Sequence, residues 1–172
     1  MVEIFDIENF KHKIHFEYNI QETQKLRELF ENKKKEITIN DLRRISLWKL
    51  DRVLEIDENT LEKINVIFNK EDLKFNDKIV IELIEELKNS KGVGFPMLSS
   101  FLKFIRPDLF PIIDIRAYRA LYGKKIYSSQ YSIEKYFNYI EKVYEIRDSL
   151  NLKLYEVDEK LYCFDRDNNG KI

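Results

Sequence analysis

The placement of the residues that break or bend a backbone restricts this chain most. All three prolines (Pro96, Pro107, Pro111) and three of the four glycines (Gly92, Gly94, Gly123) fall between Lys91 and Gly123. Outside that stretch little interrupts helix, and apolar residues recur at helical spacing. Val80, Leu83, Ile84 and Leu87 follow i, i+3, i+4, i+7, a stripe that buries one face. Leu98, Phe101, Leu102 and Ile105 repeat that spacing after the turn Lys91-Gly92-Val93-Gly94. With so few glycines and prolines, a loop-rich sandwich is excluded, and the expected fold is all-α with about eight helices.

The periodicity predicts helices over Gln21–Lys34 and Asp41–Glu55, the second capped by Asn40, and a third opening at Asn59 or Thr60. A fourth begins near Asn76-Asp77. The fifth, Phe95 to Ile105, carries Pro96 in its first turn, where a missing N–H costs little. Pro107 ends it by pushing Arg106 out of the α region. Pro111 keeps the next residues extended, and a short helix runs from Asp114 to about Gly123. Ser132 caps a helix whose stripe, Ile133, Tyr136, Phe137, Ile140, Val143 and Tyr144, reads as core. A last helix covers about Leu152 to Phe164. At 172 residues this is one domain, 1–172, divisible into small helical lobes of about 20–75 and 76–150 with a cleft.

The chain has a net charge of −1, so it is not polybasic as a whole. Between Lys88 and Lys125, however, eight lysines and arginines face only Asp108 and Asp114. Such a local excess suits a polyanion, although a charge run is more often only a solvated face. No eighteen-residue apolar run spans a membrane, and MVEIFDIENF has no secretory pattern. The single cysteine, Cys163, forms no internal disulfide, so a cytoplasmic setting is expected.

Two helices flanking Gly-Val-Gly, over about 77–105, form a helix-hairpin-helix signature. Glycine lets the turn amides and the next helix N-terminus approach a phosphate closely, and the helix end adds partial positive charge. The same glycines also fit an ordinary turn. No strand precedes them and no Gly-Lys-Ser/Thr follows, which excludes a dinucleotide fingerprint and a P-loop.

The order of hairpin, apolar helix, Pro-Ile-Ile and then Asp114-Ile-Arg116-Ala-Tyr-Arg119 resembles the helix-hairpin-helix DNA glycosylases typified by endonuclease III. The likeness covers about 35 residues, Asn89 to Gly123. It is closer still to small bacterial and archaeal members with a Gly-Val-Gly-x-Pro-Met hairpin (here Gly92 to Ser99), an Ile-Asp-x-Arg segment (Ile113 to Arg116) and an upstream Trp-Lys-x-x-Arg (Trp48 to Arg52). That closer likeness carries a fold and no established reaction. The resemblance implies Asp114 at the catalytic aspartate position, with Arg119 on the arginine five residues later. It implies nucleic-acid contacts from Lys91, Gly92, Val93, Gly94, Arg116 and Arg119, with DNA preferred over RNA.

This chain departs from the family pattern at several positions. Pro96 stands at the position of the Schiff-base lysine, so lyase chemistry through an imine is not expected. Ser90-Lys91 replaces Leu-Pro, and Arg116 replaces a histidine. No four-cysteine cluster follows, so no iron–sulfur centre, and no other cofactor, is expected. What remains is a lysine-independent glycosylase or, alternatively, a non-enzymatic nucleic-acid-binding or protein-interaction domain of that fold. Asp114 also suits a plain helix N-cap.

Arg44, Trp48 and Arg52 share a helix face, with Lys49 beside them. They suit a pocket wall together with Tyr118, or a half-buried tryptophan covered by arginines. The tail from Asp165 to Ile172 copies the start of a calcium loop without its twelfth-position glutamate. His12 and His15 lack a third ligand. No metal is expected at either place.

Overall fold

The computed structural model describes residues 20–31, 37–50 and 53–172. Among these the chain is helical throughout, with eight α-helices, one short 3-10 turn (Ser128–Gln130) and no strand. It divides into two compact units, residues 1–53 and residues 54–172. No helix among the described residues is long and apolar enough to cross a membrane.

In the unit of residues 1–53, α1 (Ile20–Glu31) and α2 (Ile39–Lys49) are described. The cap of α2 is Thr38, two residues before Asn40. Thr38 Oγ1 accepts from Asp41 N, and Asp41 Oδ2 accepts from Thr38 N at 2.7 Å. This reciprocal box satisfies two helix-end donors, where Asn40 alone would serve one. The helix stops at Lys49, short of the expected Glu55. Trp48 donates from Nε1 to Thr23 Oγ1 at 3.1 Å, fastening α2 to α1.

The unit of residues 54–172 holds the rest: α3 (Glu58–Asn69), α4 (Lys78–Asn89), α5 (Phe95–Ile105), α6 (Ile115–Tyr122), α7 (Ile133–Leu150) and α8 (Leu154–Asn168). The cap of α3 is Asp57, one turn ahead of the buried Thr60 whose amide it accepts at 2.8 Å. Val80, Leu83, Ile84 and Leu87 of α4 are fully buried, as their spacing predicts. They join Leu98 and Leu102 of α5 and Tyr136, Tyr139 and Ile140 of α7 in one apolar core. Each such side chain contributes about 1.5–3 kcal/mol through burial.

Arg106, at the end of α5, donates from Nη1 to the carbonyls of Ile67 (3.2 Å) and Lys70 (2.7 Å). A cation there satisfies orphan carbonyls at the C-terminus of α3. Beyond Arg106 the chain makes a turn, with Leu109 N and Phe110 N donating to Arg106 O, and then runs without helix through Phe110–Ile113, where side chains take over its hydrogen bonding. Tyr144, Tyr136 and Tyr139 of α7 donate to the carbonyls of Leu109, Pro111 and Ile112, each at 2.9 Å. Ile112 N donates to Asp158 Oδ2 (3.1 Å) and Ile113 N to Ser99 Oγ (3.2 Å). Buried backbone groups need such partners, so the tyrosine stripe read as core is also polar scaffolding. The segment delivers Asp114 to the start of α6, and Gly123 ends that helix at φ 68°, a left-handed cap that favours glycine.

Candidate nucleic-acid interface and the Asp114 site

The hairpin joins α4 to α5 through Ser90–Gly94. Ser90 N donates to Leu87 O (3.1 Å) and Val93 N to Ser90 O (3.2 Å), closing a tight turn. Gly92 sits at φ 80°, which L side chains rarely adopt. Val93 is buried and plugs the turn into the core. Lys91 is exposed, and its ammonium pairs with Glu55 at 2.6 Å while its carbonyl accepts from Glu55 N at 3.2 Å.

Gly94 differs from Gly92. At φ −85° and ψ 165° it occupies backbone space open to any residue. A Cβ built there meets no atom within 4 Å. Nothing inside the protein requires glycine at this position. It is the N-cap of α5, yet it offers no side chain to the first-turn amides. Serine or aspartate there would bond one of those amides.

Asp114 caps α6: its Oδ1 accepts from Ala117 N at 2.7 Å. Among the described residues no hydrogen bond reaches Oδ2. The residue is half-buried, and with Lys103 and Phe104 of α5, Ile112, and Asp158, Glu159, Tyr162 and Cys163 of α8 it lines an open depression of about 420 Å³. That size is within the range of small-ligand sites.

The floor of the depression is ionic. Lys103, 4% exposed, donates to both oxygens of Asp158 (3.0 and 2.9 Å), to Glu159 (2.8 Å) and to Tyr155 O (3.0 Å). Burial pushes the Asp158 carboxyl above its ordinary range even though Lys103 opposes the shift. Every donor of Lys103 is engaged, so this amine is a structural cation.

Arg116 and Arg119 of α6 turn inward. Arg119 donates to both oxygens of Asp165, and Arg116 Nη1 donates to Asp165 Oδ2 at 3.1 Å. Both also reach Gly170 O. Asp165 has no exposed side-chain surface. The arginines, led by Arg119, hold its carboxyl far below the usual range. The tail that imitated a calcium loop therefore supplies the counterion of α6.

The basic excess between Lys88 and Lys125 is thus largely answered by acids. Lys88 pairs with Glu85, Lys91 with Glu55, Lys103 with Asp158 and Glu159, Arg106 with Asp108, and Arg116 and Arg119 with Asp165. Of these eight, only Lys124 and Lys125 have no ion pair among the described residues.

Tyr118 is buried in the core with its ring 4.4 Å from that of Tyr122, and it does not line the depression. Trp48 and Lys49 belong to the other unit, and Arg52, His12 and His15 lie outside the described residues. The ionic floor at Lys103 and Asp158 was missed in the sequence, where a lone lysine on an apolar helix face was its only signal. No protein-family model, curated protein or solved structure matches the chain.

Proposed function

We propose that this chain is a nucleic-acid-binding helix-hairpin-helix protein that takes a backbone phosphate at the Lys91–Gly94 turn and the N-terminus of α5. DNA is the preferred partner. The observation that carries this reading is Gly94, a glycine at an N-cap where neither φ nor internal packing asks for one. A ligand that must come close to the helix amides supplies the missing reason. Lys91 stands exposed beside it and can exchange Glu55 for phosphate.

The enzymatic form of this reading is a lysine-independent DNA glycosylase. Asp114, half-buried with one oxygen on Ala117 N, would face C1′ of an extruded nucleotide. The C1′–N bond breaks with its electron pair leaving on the base. Water oxygen then bonds to C1′, and Asp114 stabilises the positive charge that develops and takes the water proton. Arg116 and Arg119 act in this scheme by holding α6 through Asp165, and need no phosphate of their own. That same commitment of both arginines favours the second reading, a binding module without chemistry.

The test is anisotropy of labelled duplex and single-stranded oligonucleotides across a salt series, with Gly94→Val as the blocking variant. Valine suits the backbone there and its Cβ meets no neighbour, so apart from the cost of a poorer N-cap, which the melting temperature reads, its side chain obstructs an approaching ligand. At least tenfold weaker binding is expected. Wild-type protein that binds neither probe at low salt, or Gly94→Val that binds normally, sinks the reading. Free-base release from damaged duplexes, lost in Asp114→Asn, separates the enzyme from the module.

A further inference from the structure

We infer that Arg116 and Arg119 form an oxyanion-binding site and that residues 169–172 lie across it as a displaceable strap. This inference does not need the hairpin reading above. Two guanidiniums share one carboxylate here. Arg116 and Arg119 both bond Asp165, and neither pairs with another acid among the described residues. One positive charge is therefore left over, on side chains only 16% and 12% exposed. A charge so far withdrawn from water is costly unless it is paired. The remaining partners are neutral. Gly170 O accepts from Arg116 Nη1 at 3.1 Å and from Arg119 Nη2 at 3.2 Å, and Lys171 O accepts from Arg119 Nη1 at 3.3 Å. Nε and Nη2 of Arg116 make no hydrogen bond among the described residues.

The strap is weakly anchored. Every residue after Asp165 is exposed, so no side chain of 169–172 packs into the core. Besides the carbonyl contacts, Asn169 ties it down, donating from N to Asp165 O (2.8 Å) and from Nδ2 to Asp165 Oδ1 (3.0 Å). Gly170 holds φ 69°, a conformation that glycine adopts freely. The arginines are held differently: the fork of Arg119 on Asp165 involves no strap atom. The strap can therefore lift while the guanidiniums stay in place. An oxyanion then brings the missing negative charge, and charge-assisted bonds from arginine are roughly twice as strong as bonds between neutral groups. The planar fork of arginine also matches the oxygens of phosphate. The ligand class is a phosphate or sulfate group, carried by a small molecule or by a nucleic-acid backbone.

The experiment is calorimetric titration of the full chain with inorganic phosphate at fixed ionic strength, on wild type, Gly170→Val and Arg116→Gln. Valine disfavours φ 69°, and a Cβ there meets no atom within 4 Å, so the substitution unseats the strap without a clash. Glutamine removes the surplus charge and leaves the Arg119 fork on Asp165. Phosphate should bind Gly170→Val about three- to tenfold more tightly than wild type, the size of the neutral hydrogen bonds that no longer compete. Arg116→Gln should bind about tenfold more weakly than wild type. Equal affinity of Gly170→Val and wild type overturns the strap. Undiminished binding by Arg116→Gln overturns the site. Binding by neither wild type nor Gly170→Val overturns both. A labelled duplex titrated against the same proteins identifies the source of the phosphate. Tighter duplex binding by Gly170→Val supports a nucleic-acid backbone, and an unchanged duplex affinity beside tighter phosphate binding supports a small phosphorylated ligand. Failure of the hairpin in its own Gly94→Val test leaves the phosphate result standing.

Discussion

Arg119 grips Asp165 through two parallel hydrogen bonds, Nε to Oδ1 at 2.6 Å and Nη2 to Oδ2 at 2.8 Å, across 46 residues of sequence. Arg116 adds a third bond to the same carboxylate, and Asn169 Nδ2 a fourth at 3.0 Å. The geometry is the forked one in which arginine binds carboxylate most strongly. It clamps α6, which begins at Asp114, against α8.

Breaking this clamp from the acid side leaves two arginines facing each other across a buried gap. Asp165→Asn should destabilise the protein by about 3 kcal/mol, the low end for a broken buried pair because both arginines keep some contact with water. Urea unfolding of the variant measures it. A loss below about 0.5 kcal/mol would show that the clamp is not holding the fold.

The same carboxylate fixes part of the acid response. Its folded pKa lies below the ordinary value of 3.8. A depressed carboxylate contributes stability that is complete above the unfolded pKa and is lost as pH falls toward the folded one. Unfolding free energy should therefore decline as pH drops below about 4, and Asp165→Asn should flatten that decline. Denaturation series between pH 2 and 6 on both proteins provide the comparison.

Capping and chemistry at Asp114 can be separated by two substitutions. Asparagine is as good an N-cap as aspartate, whereas alanine loses about 1 kcal/mol. Asp114→Asn should melt like wild type, and Asp114→Ala a few degrees lower. If Asp114 is a glycosylase carboxylate, both variants lose base release equally. Activity retained by Asp114→Asn would reduce the residue to its cap.

Lys91 forms an exposed pair with Glu55, and pairs of this kind contribute at most about 1 kcal/mol to stability. Lys91→Ala should accordingly fold normally. If the lysine meets phosphate, the magnitude of the salt slope for duplex binding should drop by about 0.9, one counterion fewer. An unchanged slope would remove Lys91 from the interface.

Gly123 ends α6 at φ 68°, with its N–H donating to Arg119 O at 2.8 Å. A Cβ there meets no atom within 4 Å, so any cost of substitution lies in the backbone alone. Gly123→Ala should cost about 1 kcal/mol, roughly 3 °C in a chain of this size. Calorimetry tests this directly.

What could be read from the sequence was local. The α4 stripe, the Pro96 start of α5, the Asp114 and Ser132 caps and the Gly123 stop all depend on residues within one or two turns, and the helices stand where those signals put them. Near misses were local too. Thr38 and Asp57 each cap two residues before the asparagine that looked suitable, because each has a partner three residues on. Charge could not be read this way. Asp165 lies 49 residues from Arg116, and Asp158 lies 55 from Lys103. Counting charges along Lys88–Lys125 therefore suggested a basic surface where folding brings in acids from other helices. The polar work of the tyrosine stripe was hidden for the same reason: an i, i+3, i+4 pattern reports which face is buried and says nothing of where a hydroxyl points.

The segment from Pro111 to Ile113 owes its hydrogen bonds to α5, α7 and α8 at once. It behaves as a taut cord tied to three posts. The carboxylate at its far end cannot drift with a local loop motion, since any shift must loosen bonds on several helices together. Whatever meets Asp114 meets a group whose position belongs to the whole unit, and must itself do the moving.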